Sequence, residues 1–263
     1  MTILILSGKI ILVTRSKDSS AELRSLLESR KASVICFPTI EIKNPESWDE
    51  CDNAIWKLAE YSSVCFTSKN AVIKFVERIR SIRPQAVDTL ATRNIFAVGE
   101  KTKRSLESCG FSVLATPKHA SAEELTTMLQ AHQIKGAKIL FPKSSIAREE
   151  LPKQLRSMGA AVDEIVVYQT IIPEPDNLEQ IRQMIMENKI DVATFFSPSS
   201  ILNFTEMIGS EVLAHTAIAA IGPTTAETAQ QLGLTVAILA QQPTAEGLVE
   251  AIQEHFKGLE VRD

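Results

Sequence analysis

The sequence predicts an α/β protein built from two similar parallel-sheet domains. Short apolar runs of strand type alternate with amphipathic helical stretches, an order that favours parallel strands and right-handed crossovers. A strand–turn–helix unit also occurs twice, as IFAVGEKTKRSLESCGF at 95–111 and as IAAIGPTTAETAQQLGL at 218–234. Three residues recur at a constant separation of 123 positions, Gly99, Thr102 and Gly110 in the first copy and Gly222, Thr225 and Gly233 in the second. Such a repeat indicates two related modules.

The predicted strands are apolar runs that end at polar or glycine-containing turns. They span residues 10–14, 32–37, 63–66, 112–115, 137–141, 161–167, 191–196 and 235–239, together with the runs before Gly99 and Gly222. Helices are predicted where apolar residues recur at helical spacing after a polar residue that can cap them. They cover a stripe that includes Leu23 and Leu27, then 48–59, 71–79, the two repeat units, 121–131, 148–158, a segment ending at 188 and one beginning at Thr244. Residues 142–147 are predicted to form a turn.

Two extended, proline-bracketed segments predict where the domains join. PTIEIKNP follows Phe37 and YQTIIPEP follows Val167, and such stretches make better linkers than the short loop near Gly136. We therefore predict one discontinuous domain of residues 1–37 and 172–263, and one inserted domain of residues 42–167. The linkers 38–41 and 168–171 could pair as a two-stranded ribbon.

Composition excludes several classes of protein. The 263-residue chain has a formal net charge of −4 and no basic stripe, which argues against nucleic-acid binding. The four cysteines form no C-x-x-C pair and the four histidines lack metal-ligand spacing, so no metal is expected. The apolar N-terminus is short and contains Lys9, so no membrane span is predicted. A cytoplasmic protein is the expectation.

Hydroxyls, amides and cations predominate where the predicted strands end. Parallel α/β sheets bind ligands beyond the carboxyl ends of their strands, and exposed helix N-termini favour anions. The candidate binding residues at these ends are Thr14, Arg15, Ser68, Asn70, Gly99, Thr102, Lys143, Ser197, Ser199, Gly222, Thr224 and Thr225. Taken singly, each has a structural alternative, because Ser and Thr often cap helices, Gly serves turns and Lys is often solvated. Together they predict a cleft for a polyanion.

Tyr168 is the aromatic residue that stands out, because its ring could face the gap between the two predicted domains. It is one of two tyrosines in the chain and lies where a predicted strand passes into the second linker. A phenol has an unperturbed pKa of about 10, so it is protonated at neutral pH. Packing at a hinge is the structural alternative for this ring, and spacing alone does not decide between the two.

Seven stretches in order resemble the uroporphyrinogen-III synthase (HemD) family over nearly the whole chain. They are VTR (13–15), FTSKNAV (66–72), VGEKT (98–102), LFP (140–142) with Arg148 downstream, VVYQT (166–170), FFSPSS (195–200) and IGPTTA (221–226). The chain departs from the family pattern at Ser16, at Lys103 and at Lys143–Ser144.

The resemblance implies two flavodoxin-like, HemD-like domains joined by a two-stranded linker. It implies a cyclising hydro-lyase of tetrapyrrole (haem) biosynthesis that converts hydroxymethylbilane to uroporphyrinogen III, with loss of water and inversion of ring D. Arg148 joins the expected substrate-binding residues, and Tyr168 matches the family's usual candidate acid. No cofactor is implied. A monomer is expected, with at most transient contact with the preceding enzyme of the pathway.

A non-catalytic function is the alternative. A two-domain protein that closes on an anionic small molecule would show the same strand ends and linkers. Turnover of hydroxymethylbilane distinguishes the two functions.

Overall fold

The computed structural model describes residues 5–16, 18–117, 132, 134–210, 213 and 215–260, and strands and helices alternate throughout these ranges. The strands are β1 (Ile10–Val13), β2 (Ser33–Cys36), β3 (Glu41–Lys43), β4 (Ser63–Phe66), β5 (Asn94–Ala97), β6 (Lys138–Ser144), β7 (Ala161–Ile171), β8 (Val192–Phe195), β9 (Ala217–Ala220) and β10 (Val236–Leu239). The helices are α1 (Ala21–Ser29), α2 (Asp49–Trp56), α3 (Lys69–Ile82), α4 (Ala86–Ala91), α5 (Glu100–Ser108), α6 (Glu150–Ser157), α7 (Leu178–Met186), α8 (Pro198–Ile208), α9 (Pro223–Gln231) and α10 (Ala245–Glu260). The fold class is α/β, as predicted.

The chain divides into two compact units, each with its own five-stranded sheet. The first unit comprises Met1–Glu41 and Ile171–Asp263, and its strand order is β10-β9-β8-β1-β2. The second unit comprises Ile42–Thr170, and its order is β3-β7-β6-β4-β5. Neighbouring strands are parallel throughout the first sheet and from β7 to β5 in the second. The finer assignment of 38–41 and 168–171 as interdomain linkers stays a prediction.

The sequence repeat reappears in the arrangement of the strands. In the sequence repeat, β4 is equivalent to β8, β5 to β9, β6 to β1 and β7 to β2. The order β9-β8-β1-β2 in one sheet therefore corresponds to β5-β4-β6-β7 in the other. The two units share a strand arrangement. The equivalent strands occur in a different order along the chain, because one unit is inserted into the other.

Helices cover both faces of each sheet. Val64 and Phe66 of β4 pack in one apolar cluster with Phe75 of α3, whereas Cys65 between them belongs to a second cluster with Leu155 of α6. β1 shows the same alternation in the first unit. Strands buried on both faces read as continuous apolar runs, which is why they could be recognised in the sequence.

The four cysteines are free thiols. Cys51 and Cys65 are buried, and burial raises the pKa of each thiol to about 12. Because the thiolate is the reactive form, these two side chains are structural at neutral pH.

Two predicted elements differ from the structure, and a third is not among the described residues. The predicted strand 112–115 is reduced to a single bridge between Phe96 and Ala115, because the run ends at Pro117, which cannot donate a backbone hydrogen bond. The predicted turn at 142–147 begins late, since β6 continues through Pro142 to Ser144. Beyond Leu140 this strand pairs only with β7, so fewer of its N–H groups need a partner. The predicted helix at 121–131 lies outside the described residues.

The repeat also supplies a prediction about backbone strain. Gly99 begins α5 with φ 90° and ψ 150°, a region that essentially only glycine occupies, whereas Gly222 begins α9 with an extended φ of −174°. A Cβ at either position would contact nothing within 4 Å. We expect Gly99→Ala to lower the free energy of unfolding by about 1–3 kcal/mol. Gly222→Ala, its matched control, should change it by less than about 0.5 kcal/mol. Urea denaturation measures both, and equal losses would contradict the explanation.

Candidate active site

Parallel pairing brings the predicted site residues of each unit to one edge of its sheet. In the second unit Phe66 of β4 lies opposite Ala97 of β5, so Ser68 and Gly99 follow at the same edge and begin α3 and α5. In the first unit Phe195 lies opposite Ala220, so the turns before α8 and α9 also share an edge. We call these the carboxyl edges of the two units. Each presents helix N-termini, which are favourable positions for anions.

Tyr168 lies at the carboxyl edge of the second unit. The side chain is only 7% exposed and packs in the apolar cluster on the α3 face of the sheet. Its hydroxyl oxygen is 3.0 Å from the hydroxyl oxygen of Ser68. Ser68 also caps α3, since its oxygen accepts a hydrogen bond from the backbone N–H of Ala71 at 3.1 Å.

A β-bulge decides which face of the sheet Tyr168 occupies. Lys143 pairs with Val166 and Ser144 pairs with Tyr168, so Val167 has no partner in β6. Val167 packs in the cluster on the α3 face, and strict alternation would therefore send Tyr168 to the opposite, α6 face. The extra residue restores it to the α3 face, beside Ser68. Bulges that re-aim a side chain are frequent next to active sites.

Two further hydroxyls lie near Tyr168 on this face, one on the paired strand and one two residues on. Ser144 of β6 and Thr170 of β7 lie 3.2 Å apart, within hydrogen-bonding distance. The sequence analysis missed Thr170 as a residue of this edge, because it treated 168–171 as linker. The signal available was the alternation of the polar residues Tyr168 and Thr170 beyond an apolar strand.

Lys143 is neutralised by a carboxylate that the sequence analysis did not anticipate. Its ammonium donates a hydrogen bond to Glu164 of β7, and Arg156 of α6 contacts the other carboxylate oxygen at 2.8 Å. Burial by itself would raise the pKa of Glu164, but the hydrogen bonds from the two cations outweigh it and hold the pKa below its ordinary value. Lys143 therefore has an internal partner in addition to any role with a ligand.

The equivalent cation of the first unit has a different environment. A shift of 128 positions relates Arg15 to Lys143, and the same shift relates Cys36 to Glu164. Among the described side chains no carboxylate forms a salt bridge with Arg15, which instead lies over the ring of Phe196, 4.6 Å from its centroid. Burial lowers the pKa of this guanidinium, an effect that Glu22 partly opposes. Arg15 stays charged, since an unperturbed Arg titrates above about 12.

The hydroxyls of the first unit are mostly engaged in local structure. Thr14 is buried and donates a hydrogen bond to the carbonyl of Thr194 at 2.7 Å. Ser197 caps α8 and lies 3.0 Å from Ser199. Ser197 thus caps a helix, the structural alternative that the sequence left open, whereas Thr14 makes a contact between strands.

The remaining predicted residues are distributed over the two edges. Thr102 and Thr225 are buried in the first turns of α5 and α9, whereas Thr224 is exposed. Asn70 is half-buried in the first turn of α3. Arg148 is exposed and lies two residues before α6. Because several of the predicted binding residues are buried, fewer of their side chains can contact a ligand than the sequence suggested.

Neither a metal cluster nor a membrane-spanning helix occurs in the described part of the chain. No three or more His, Cys, Asp or Glu side chains there are grouped so that they could hold a metal ion. None of the described helices is long and apolar enough to cross a bilayer.

The family assignment rests on a match that covers most of the chain. Residues 21–250 match the model of the family described as uroporphyrinogen-III synthase HemD. The chain belongs to this family. The resemblance seen in the seven sequence stretches is thereby confirmed.

Curated relatives and solved structures agree with this assignment. The uroporphyrinogen-III synthase of Chlorobaculum parvum is 32% identical over 95% of this chain and 100% of its own length. That of Synechococcus elongatus is also 32% identical, over 95% of this chain and 96% of its own length. A crystal structure of a mutant uroporphyrinogen III synthase from Thermus thermophilus has a TM-score of 0.68 at 15% identity, covering 95% of this chain and 99% of that one. The Helicobacter pylori structure gives 0.63 at 19% identity, with 94% and 99% covered. The two structures support the fold.

The Glu164 cluster generates a prediction about stability and pH. A carboxyl with a depressed folded-state pKa stabilises the protein above its unfolded pKa of about 4.3, and this contribution is lost as the pH falls through the folded pKa. We expect Glu164→Gln to cost about 1–3 kcal/mol at pH 7, because two cations lose their partner. The difference from the wild type should shrink below about pH 4.3.

Glu107→Gln is the matched control, since Glu107 forms only an exposed pair with Lys103. Thermal melts of the three proteins between pH 3 and pH 7 measure the effect. A Glu164→Gln difference that is the same at pH 3 as at pH 7 would contradict the pKa shift.

Proposed function

We propose that this protein converts the linear tetrapyrrole hydroxymethylbilane to uroporphyrinogen III, losing water and inverting ring D. Family membership over residues 21–250 supports the reaction. The observation that carries the mechanism is the Tyr168 hydroxyl, held beside Ser68 at the carboxyl edge of the second unit. A phenol in this position supplies the proton that the reaction needs at neutral pH.

The first chemical step breaks the C–O bond of the substrate's hydroxymethyl group. Both electrons of that bond leave with the oxygen, and the proton of Tyr168 completes a water molecule. The electron-rich pyrrole stabilises the carbon that remains. Ring D then attacks this carbon through its substituted position and forms a spiro intermediate. The older bond from that position to the carbon that bridges to ring C breaks, and this bridging carbon bonds to the unsubstituted position of ring D, which inverts the ring. The proton that ring D loses on closure restores the phenol, so the enzyme ends each turnover unchanged.

The substrate's eight carboxylates fit the character of both carboxyl edges. The N-termini of α3, α5, α8 and α9 offer backbone N–H groups, and each such site contributes only about 0.3–1 kcal/mol to anion binding. Binding is therefore distributed, and no single Ser or Thr replacement abolishes it. Arg15 supplies the charge in the first unit, because it has no described carboxylate partner.

The experiment that tests the reaction is incubation with freshly made hydroxymethylbilane and isomer analysis of the product. Uroporphyrinogen III supports the proposal. Binding of the bilane without faster closure, or formation of only the isomer with an uninverted ring D, would favour the non-catalytic binder instead.

The role of Tyr168 as the proposed general acid leads to a kinetic prediction. Tyr168→Phe keeps the ring but removes the proton, and general acid assistance is typically worth about 10²–10⁴-fold. We expect turnover to fall at least about tenfold while the protein stays folded, with thermal stability lowered by no more than the loss of one hydrogen bond to Ser68 explains. The expected loss is smaller than the general range because the electron-rich pyrrole already helps to expel the hydroxyl.

The chain contains its own control in Tyr61. This tyrosine precedes β4 at the opposite edge of the sheet, where its hydroxyl donates a hydrogen bond to Asp163 at 2.8 Å. Burial and Asp163 together raise the pKa of Tyr61. Tyr61→Phe should lower stability but leave turnover within about twofold, since this hydroxyl lies away from the carboxyl edge. If Tyr168→Phe retained full turnover, Tyr168 would not be the acid.

Arg15 provides a prediction about binding. Charge-assisted hydrogen bonds contribute about 1.5–3 kcal/mol, so Arg15→Gln should raise KM about tenfold while kcat changes less than about twofold. The wild-type KM should also rise with salt, which screens exposed charges. Arg24→Gln removes a cation that pairs with Glu28 on α1, and it should leave KM unchanged. A lowered kcat at constant KM in Arg15→Gln would contradict a binding role.

A monomeric state, a cytoplasmic location and transient contact with the preceding enzyme of the pathway stay predictions. They follow from the composition and from the family resemblance.

A further inference from the structure

We propose that Ser68 is a positioning residue for Tyr168: it donates a hydrogen bond to the phenol oxygen and so leaves the phenol's own proton free for the substrate. This proposal rests on the proposed function, and it replaces the direct substrate contact that the sequence analysis assigned to Ser68. The juxtaposition that carries it is the 3.0 Å distance between the two hydroxyl oxygens.

The other partner of Ser68 is compatible with donation of the Ser68 proton to Tyr168. A serine hydroxyl has one proton to donate and two lone pairs that accept. The Ser68 oxygen already accepts the backbone N–H of Ala71 at 3.1 Å. No other acceptor for the Ser68 proton occurs among its described contacts, so donation to Tyr168 satisfies the hydroxyl completely. The phenol is then an acceptor towards Ser68, and its proton points elsewhere.

The same arrangement helps the phenol after it has given up its proton. A phenolate needs hydrogen-bond donors, and the Ser68 hydroxyl is already aimed at the oxygen on which the negative charge develops. Ser68 also lies at the N-terminus of α3, a 14-residue helix. The aligned peptide dipoles of a helix favour negative charge at its N-terminus. The chain of bonds from Ala71 through Ser68 to Tyr168 polarises each member in the direction of proton release.

The bulge in β7 makes this contact possible. With strict alternation, Tyr168 would lie on the α6 face of the sheet, whereas Ser68 caps α3 on the other face. Because Val167 is unpaired, Tyr168 lies opposite Ser144 and on the face of α3. The bulge and the helix cap thus bring the Ser68 hydroxyl next to the phenol oxygen. If the ring served only for packing, this contact would not be needed.

Three substitutions separate positioning from capping. Ser68→Ala removes both the cap and the donor. Ser68→Asp keeps the cap, because Asp caps helices as well as Ser does, but its carboxylate has no proton to donate at neutral pH. Ser68→Thr keeps both functions. We expect kcat to fall about tenfold in the Ala and Asp variants and less than about threefold in the Thr variant. KM should change by less than about twofold in the Ala and Thr variants, whereas the added negative charge of Asp should raise it.

A double-mutant cycle with Tyr168→Phe is the decisive measurement. If Ser68 acts through the phenol, then Ser68→Ala in the Tyr168→Phe background changes kcat by less than about twofold, because the group it positions is gone. Ser68→Ala should lower thermal stability in both backgrounds, because the cap on α3 is lost in each. Ser47→Ala, which removes a hydroxyl that accepts the backbone N–H of Asp49 at the start of α2, should leave kcat unchanged.

Specific outcomes overturn the proposal. Independent effects that multiply in the cycle, full kcat in Ser68→Asp, or a raised KM at constant kcat in Ser68→Ala would each show that Ser68 does not act through Tyr168. Should Ser68→Ala fail to fold, Ser68→Asp carries the same cycle. A wild-type protein that forms no uroporphyrinogen III would instead refute the proposed function, so the two failures are distinguishable.

Discussion

One unpaired residue in the pairing of β6 with β7 determines the chemistry at the carboxyl edge of the second unit. Up to Val166 the register is regular, and the faces of β7 alternate between α3 and α6. The extra residue, Val167, then shifts the phase, so that Tyr168 and Thr170 lie on the face of Ser68 and Ser144. The candidate acid, its positioning residue and the neighbouring hydroxyl pair all depend on this single irregularity in the sheet.

The two units use the same scaffold for different tasks. Both align four parallel strands in the same order and present helix N-termini at the carboxyl edge. They differ in the partner of the equivalent cation: Lys143 binds Glu164, whereas Cys36 occupies the position equivalent to Glu164 and Arg15 forms no salt bridge with a described carboxylate. In the proposed mechanism Arg15 is therefore the cation that the first unit offers to an anionic substrate. In the second unit Glu164 neutralises Lys143, and Tyr168 is the candidate acid.

The sequence predicted the strands, the repeat and the edge residues because local patterns encode them. Doubly buried strands are continuous apolar runs, and the turns before α5 and α9 keep their glycines. The bulge at Val167 and the Glu164 cluster could not be predicted, because both depend on the register between β6 and β7, which are separated along the chain by α6. The same is true of the contact between Ser68 and Tyr168, which are 100 positions apart. The continuation of β6 through Pro142 was missed because proline is a reliable signal only where a strand has two neighbours.

The central claim is that the tetrapyrrole meets Tyr168 at the carboxyl edge of the second unit. It can be tested directly by NMR of protein labelled with ¹³C at the phenol carbon that bears the hydroxyl, because the chain has only two tyrosines. Anaerobic titration with uroporphyrinogen III should shift the Tyr168 resonance and leave that of Tyr61, at the opposite edge, unchanged. Saturable binding with both resonances unmoved, or with only Tyr61 shifted, would contradict the account.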